Sequence, residues 1–216
     1  MGSSTEELNY NWSYQIAHRL YELGARTVCI SPGSRNTPLT LAFLDYKKFN
    51  CISHIDERSA GFFALGCSLY NQSPTVLIST SGTATANYLP SIVEANQSRV
   101  PLIIITADRP PQLVGTGANQ TINQKNIYGY HVRQFIDVGM PKGITTKLDS
   151  DIYSLYQFSM GKNWSGKRVS PSGPVHINVP FDEPLYLQNR TVKDMEQEIS
   201  HTFPMSVDIE QKINIK

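Results

Sequence analysis

Apolar residues along this chain follow two different periods, and the alternation between them sets the expected architecture. Short, largely continuous apolar runs rich in β-branched side chains occur at residues 27–30, 50–55, 75–79, 102–107 and 175–179. Strands covered on both faces look like this, because neither side of the pleat meets water. Between them, apolar residues recur every three or four positions, which predicts helices over residues 38–45, 59–70, 84–96 and 148–162. A first helix is expected from a capping box of Ser4 with Glu7 to Leu23, stopped by Gly24. Strands alternating with helices predict an α/β fold, doubly wound, with a mainly parallel sheet and helices on both faces. Residues 112–139 carry no clear period, and after Pro184 the composition turns polar and charged. The expected division is therefore an α/β domain over 1–184, followed by a linker or the start of a further domain over 185–216.

Chemistry concentrates at the ends of the predicted strands. Ser31-Pro32-Gly33-Ser34-Arg35, Asp56-Glu57-Arg58, Thr80-Ser81-Gly82-Thr83-Ala84 and Asp108-Arg109-Pro110 each follow one. In an open parallel sheet, ligands bind outside the carboxyl ends of the strands. Four such loops on one edge would supply backbone donors, hydroxyls, an acid and two arginines, which suits a polar, anionic small molecule. Within the second loop Asp56 is placed to cap a helix, and Glu57 falls in its first turn. Phe62, Phe63, Leu65, Gly66 and Leu69 recur at helical spacing and are expected to pack that helix, holding Glu57 rigidly for proton handling. From this fragment alone, complementing the helix dipole is the simpler role for the two acids. Arg35 and Arg109 offer forks that fit carboxylates, against the alternative of structural ion pairs such as Arg109 with Asp108.

Other features narrow the function by exclusion. The 216 residues carry 19 basic and 18 acidic side chains without long runs, unlike the basic stripe of a nucleic-acid binder. No stretch approaches the ~18 apolar residues that suggest a membrane span, and the first residues lack a secretory signal, so a cytoplasmic location is expected. Cys29, Cys51 and Cys67 are dispersed in apolar segments, and no histidine spacing suits a metal, so no metal ligand is assigned. Residues 161–168 nearly spell a phosphate-binding loop, but Arg168 stands where Ser or Thr should hold magnesium and a helix is expected before it. Ser34 and Ser81 lack the surroundings of a hydrolase nucleophile and read better as hydroxyls facing a ligand.

The strand-end motifs, joined by Gly173-Pro174-Val175-His176-Ile177-Asn178, occur in an order and spacing that resembles the N-terminal, pyrimidine-binding domain of the MenD family. These are thiamine-diphosphate-dependent synthases of menaquinone biosynthesis that make 2-succinyl-5-enolpyruvyl-6-hydroxy-3-cyclohexene-1-carboxylate. The resemblance runs from the first helix to about Pro184. It implies that Glu57 hydrogen-bonds the pyrimidine nitrogen of thiamine diphosphate, favouring the imino form that deprotonates the thiazolium carbon. It places Pro32, Gly33, Ser81, Gly82, Thr83 and Asn87 around the pyrimidine, and Ser34, Arg35, Arg109 and Gln120 on the substrates. Those substrates are 2-oxoglutarate, which is decarboxylated, and isochorismate, to which the resulting carbanion adds. Family members are more than twice this length, and a C-terminal Gly-Asp-Gly domain holds Mg2+ (or manganese) and the diphosphate. No Gly-Asp-Gly occurs here, so the chain is expected to be an N-terminal portion, inactive alone, of an enzyme working as a dimer or tetramer. Acetolactate synthases and 2-oxoacid decarboxylases share the domain type, but Arg35 and Arg109 suit more highly charged substrates than theirs. A non-catalytic dimerisation module is the remaining alternative.

Overall fold

The structure, a computed structural model, describes residues 3–188. Helix α1 (Thr5–Leu23) opens with the Ser4–Glu7 capping box and closes at Gly24, whose φ of 115° is the left-handed conformation that stops a helix. Strands β1 (Thr27–Ile30), β2 (Asn50–Ser53), β3 (Thr75–Ser79), β4 (Leu102–Asp108), β5 (Phe135–Asp137) and β6 (Pro174–Pro180) form one sheet. Its order is β2-β1-β3-β4-β6-β5, and every pairing is parallel. Five further helices are α2 (Thr37–Asp45), α3 (Glu57–Asn71), α4 (Thr83–Asn87), α5 (Leu89–Gln97) and α6 (Thr146–Ser159).

Side-chain alternation explains why the strand runs are apolar throughout. Val28, Ile30, Val76, Ile78, Ile103 and Ile105 point to one face, where α1, α2 and α6 bring Ile16, Leu20, Phe43, Ile152 and Leu155. Cys29, Leu77, Leu102 and Ile104 point to the other, where α3 and α5 bring Ala60, Ala64, Ile92 and Ala95. Both faces are dry, so the doubly wound sandwich is confirmed.

Four expectations need correction. The second strand stops at Ser53, and Ile55 is almost fully exposed. The helix expected over 84–96 is two, divided at Tyr88, because Pro90 in the first turn of α5 has no N–H to continue the earlier ladder. Residues 112–139 contain β5, three residues long and too short to show a period. The fourth concerns α3, which packs through the small residues Ala60, Gly61, Ala64 and Ser68. Phe62, Phe63 and Leu69, expected inside, are 49%, 44% and 48% exposed. The small side chains let the helix sit tight on α5, and a Cβ on Gly61 would run into Ser91. The near-phosphate-loop follows α6 and folds back on itself, with Asn163 Oδ1 accepting from the Ser165 and Lys167 amides. Of the expected linker, residues 189–216 lie outside the described residues.

Candidate active site

The chain leaves β1 towards β2 on one side and β3 towards β4 on the other, so the carboxyl ends of β1 and β3 form the switch point at which open parallel sheets bind ligands. Two glycines let these loops approach. Gly33 lies so close to Thr80 that an added Cβ would stand 2.5 Å from the threonine Cβ. Gly82 has φ 80° and ψ −144°, a region open only to glycine, and its Cβ would meet Gln120 at 2.8 Å. The first loop is tied by Asn36, whose Oδ1 accepts from Gly33 N at 2.8 Å and whose Nδ2 donates to Ser31 O at 2.9 Å. That clasp leaves Pro32 and Ser34 exposed on its crest.

Glu57 is the first residue of α3, set there by its neighbour. Asp56 caps the helix, accepting from Arg58 N at 2.8 Å and Ser59 N at 3.2 Å, while the Arg58 guanidinium pairs with it at 2.6 Å. The Arg58 hydrogen bond and then the Ser59 amide hold the Asp56 carboxyl down at about 2. Asp56 thus satisfies the helix end, and Glu57 is left for another task. Its Oε2 accepts from Asn87 Nδ2 on α4 at 3.3 Å. The expectation of a rigid carboxylate in a buried helix is corrected in one respect: within this chain Glu57 is half-buried, and the aromatic side of α3 beside it is open.

The two arginines behave differently. Arg35 is 4% exposed and donates to Phe181 O at 3.0 Å and to Glu183 Oε1 at 2.8 Å, clamping the segment after β6. Arg109 does not pair its guanidinium with Asp108. Its Nη1 donates to Ser81 Oγ at 2.6 Å, while Asp108 accepts from the Arg109 backbone N–H at 2.7 Å. Burial, and next the charge of Arg35, lower Arg109 from the usual arginine range, so the two cations share one neighbourhood. Ser81 and Gly82 are buried, and the Ser81 hydroxyl donates to Gln120 O at 3.1 Å rather than standing free. Gln120 returns the bond from Nε2 to Ser81 O at 3.0 Å, and Thr83 and Asn87 are exposed.

Of the eleven expected residues, ten lie in loops or helix starts that follow β1–β4, and Asn87 closes the short helix α4 and reaches Glu57 from there. Sequence reasoning missed the polar layer beneath them, in which Gln124 joins the Gly82 turn to Asn178 of β6. Asn178 had a signal, a polar residue inside an apolar strand, whereas Gln124 sits in the stretch without periodicity. Among the described residues no three His, Cys, Asp or Glu side chains cluster to hold a metal, and no helix is long and apolar enough to cross a membrane.

Comparison with known proteins agrees with this geometry. Residues 11–127 match the family model described as thiamine pyrophosphate enzyme, N-terminal TPP binding domain. Among curated relatives, a 2-succinyl-5-enolpyruvyl-6-hydroxy-3-cyclohexene-1-carboxylate synthase of Haloquadratum walsbyi is 46% identical over 84% of this chain and 29% of its own length. The proteins of the same name from Chloroflexus aurantiacus and Lysinibacillus sphaericus are 46% and 45% identical over 81% and 82% of this chain, which covers 29% and 30% of theirs. The chain thus spans under a third of the length of these relatives. With its parallel sheet, its paired loops at the switch point and Glu57 at the start of α3, the chain belongs to the thiamine pyrophosphate enzymes as their N-terminal TPP binding domain.

Proposed function

We propose that this domain serves a synthase that decarboxylates 2-oxoglutarate and joins the product to isochorismate, giving 2-succinyl-5-enolpyruvyl-6-hydroxy-3-cyclohexene-1-carboxylate. The relatives' names and the charge of the site support the reading. The observation that carries it is Glu57, relieved of capping by Asp56 and held at the switch-point edge by Asn87. The donor set fits the pyrimidine of thiamine diphosphate: a carboxyl for the ring nitrogen, beside glycine turns at Gly33 and Gly82 that pack closely on Thr80 and Gln120 and so hold the two loops in place. When bound, the cofactor supplies a nucleophilic carbon at its thiazolium ring. Glu57 shares a proton at the pyrimidine nitrogen, and covering its half-open side would strengthen that bond by excluding water. Pro32, Gly33 and the Ser81-Gly82-Thr83 turn orient the ring. Ser34, Arg35, Arg109 and Gln120 take the carboxylates and hydroxyls of the substrates, Arg35 by exchanging the exposed Glu183 for a ligand.

Mg2+ and the diphosphate belong, in this reading, to the part of the relatives that this chain does not span. The exposed Phe62, Phe63 and Leu69 favour a covered arrangement in a homo-oligomer, and the proposed activity goes with the cytoplasm expected from the sequence. Glu57→Gln in the complete enzyme tests the proposal. Gln keeps the size and the helix start but cannot share the proton. Exchange of the thiazolium carbon proton into deuterated water, followed by NMR, should slow by about 10²–10⁴. Exchange at the wild-type rate would remove Glu57 from the mechanism.

A further inference from the structure

Beneath the site lies a chain of buried polar side chains whose hydrogen-bond direction is forced from one end. The Gly82 N–H can only donate, so Gln124 must turn Oε1 towards it, at 2.7 Å. Its Nε2 is then the donor, to Ala107 O at 3.1 Å and to Asn178 Oδ1 at 3.0 Å. That fixes Asn178 in turn. Its Oδ1 accepts from Gln124 and from Thr106 Oγ1 at 2.8 Å, so its Nδ2 donates to Asp108 Oδ2 at 2.9 Å. The other Asp108 oxygen accepts from Arg109 N at 2.7 Å, and Arg109 Nη1 donates to Ser81 Oγ at 2.6 Å, next to Gly82. The ring closes on the turn where it began.

Each bond of this ring pairs a donor with an acceptor, and Gln124, Asn178 and Asp108 are 1%, 1% and 3% exposed. A satisfied network at low dielectric is rigid, and one reversed amide anywhere would place donor against donor. The groups it ends on need such support. Gly82 holds one of the many conformations open to glycine, which is entropically costly to fix, and the Arg109 side chain is long and costly to order.

We propose that Gln124, Asn178 and Asp108 are positioning residues, whose hydrogen-bond polarity fixes Arg109 and the Ser81–Gly82 turn to receive an anionic substrate. The inference rests on the substrate role given above to Arg109. An exchange of polarity tests it. In D108N the new amide can accept from Arg109 N only by turning its NH2 against that of Asn178, and in N178D two carboxylates face each other. In D108N/N178D the carboxylate introduced at position 178 accepts from Gln124, from Thr106 and from the amide introduced at position 108. The oxygen of that amide accepts from Arg109 N, and the ring is satisfied again with its charge moved one place.

In the complete enzyme, D108N should raise KM for 2-oxoglutarate or isochorismate by about 10- to 100-fold, the scale of a catalytic group displaced by an ångström, with a smaller effect on kcat. The double variant should return KM to within about threefold of wild type, well outside what independent sites would give. A D108N enzyme with wild-type KM, or a double variant no better than the worse single one, would overturn the inference. If the wild-type enzyme used neither substrate, the functional reading would fail instead. Amide exchange in this 216-residue chain would then decide: the Gly82 N–H should exchange about tenfold faster in D108N and recover in the double variant. Unchanged exchange in D108N would overturn the ring.

Discussion

His176 gives the domain a built-in sensitivity to acid. It lies on β6 with 0% exposure, its ring against Tyr128 at 4.7 Å and Phe135 at 5.0 Å. Nε2 lies 2.8 Å from Thr106 Oγ1, and because Thr106 donates to Asn178, that nitrogen carries the ring's proton. Nδ1 has no partner, so a second proton would create a buried imidazolium with an unmatched donor. Burial accordingly lowers the pKa from 6.5 to about 3. The sign follows. Between these values the unfolded chain binds the proton and the folded one does not, so stability rises as pH rises through the window and is lost as it falls. At pH 5 the unfolded state is favoured by about 2 kcal/mol relative to pH 7, on a scale of 1.36 kcal/mol per unit. In urea this moves the midpoint by roughly 1 M for a slope near 2 kcal/mol/M. His176→Gln keeps a donor for Thr106 and removes the titration. Its midpoint is expected to be lower overall from lost packing, but its change between pH 5 and 7 should be smaller by about 2 kcal/mol. His18, whose pKa burial also lowers, titrates in both proteins and cancels in that difference. Equal pH dependence in the two proteins would refute the assignment of a buried neutral His176.

Further outcomes are expected. Arg35→Ala should destabilise the chain by about 1.5–3 kcal/mol through the Phe181 carbonyl it leaves unpaired, lowering Tm by roughly 3–10 °C. Glu183→Gln, at a partner whose side chain is 71% exposed, should cost under about 1 kcal/mol, and a larger loss there than at Arg35 would reverse the roles given to the pair. Gly82→Ala should cost about 1–3 kcal/mol for a backbone angle that only glycine holds, and an unchanged thermal midpoint would show that the turn relaxes freely. The isolated chain should show no synthase activity and no magnesium-dependent, micromolar binding of thiamine diphosphate by calorimetry. Such binding would mean that a phosphate site exists within these residues.

What the sequence determined by itself was local and periodic. The Ser4–Glu7 box, the Gly24 stop, Asp56 as a cap and all five expected strands, the second drawn two residues too long, could be read directly, because caps and strand runs depend on a few neighbouring residues. The site edge was legible for a related reason: in a parallel sheet all strand ends point the same way, so motifs at those ends must share an edge. Tertiary structure decided the rest. Which face of α3 is buried depended on how near Gly61 and Ala64 could approach α5, a distance that no count of apolar residues encodes. Whether Arg35 would clamp Phe181 and Glu183 depended on a contact spanning 148 positions. The order of donors and acceptors from Gly82 through Gln124 to Asp108 exists only once β3, β4, β6 and a loop without periodicity are brought within hydrogen-bond reach. Hydrophobic spacing reports which side of an element avoids water, and a hydrogen bond between distant residues leaves no trace in it.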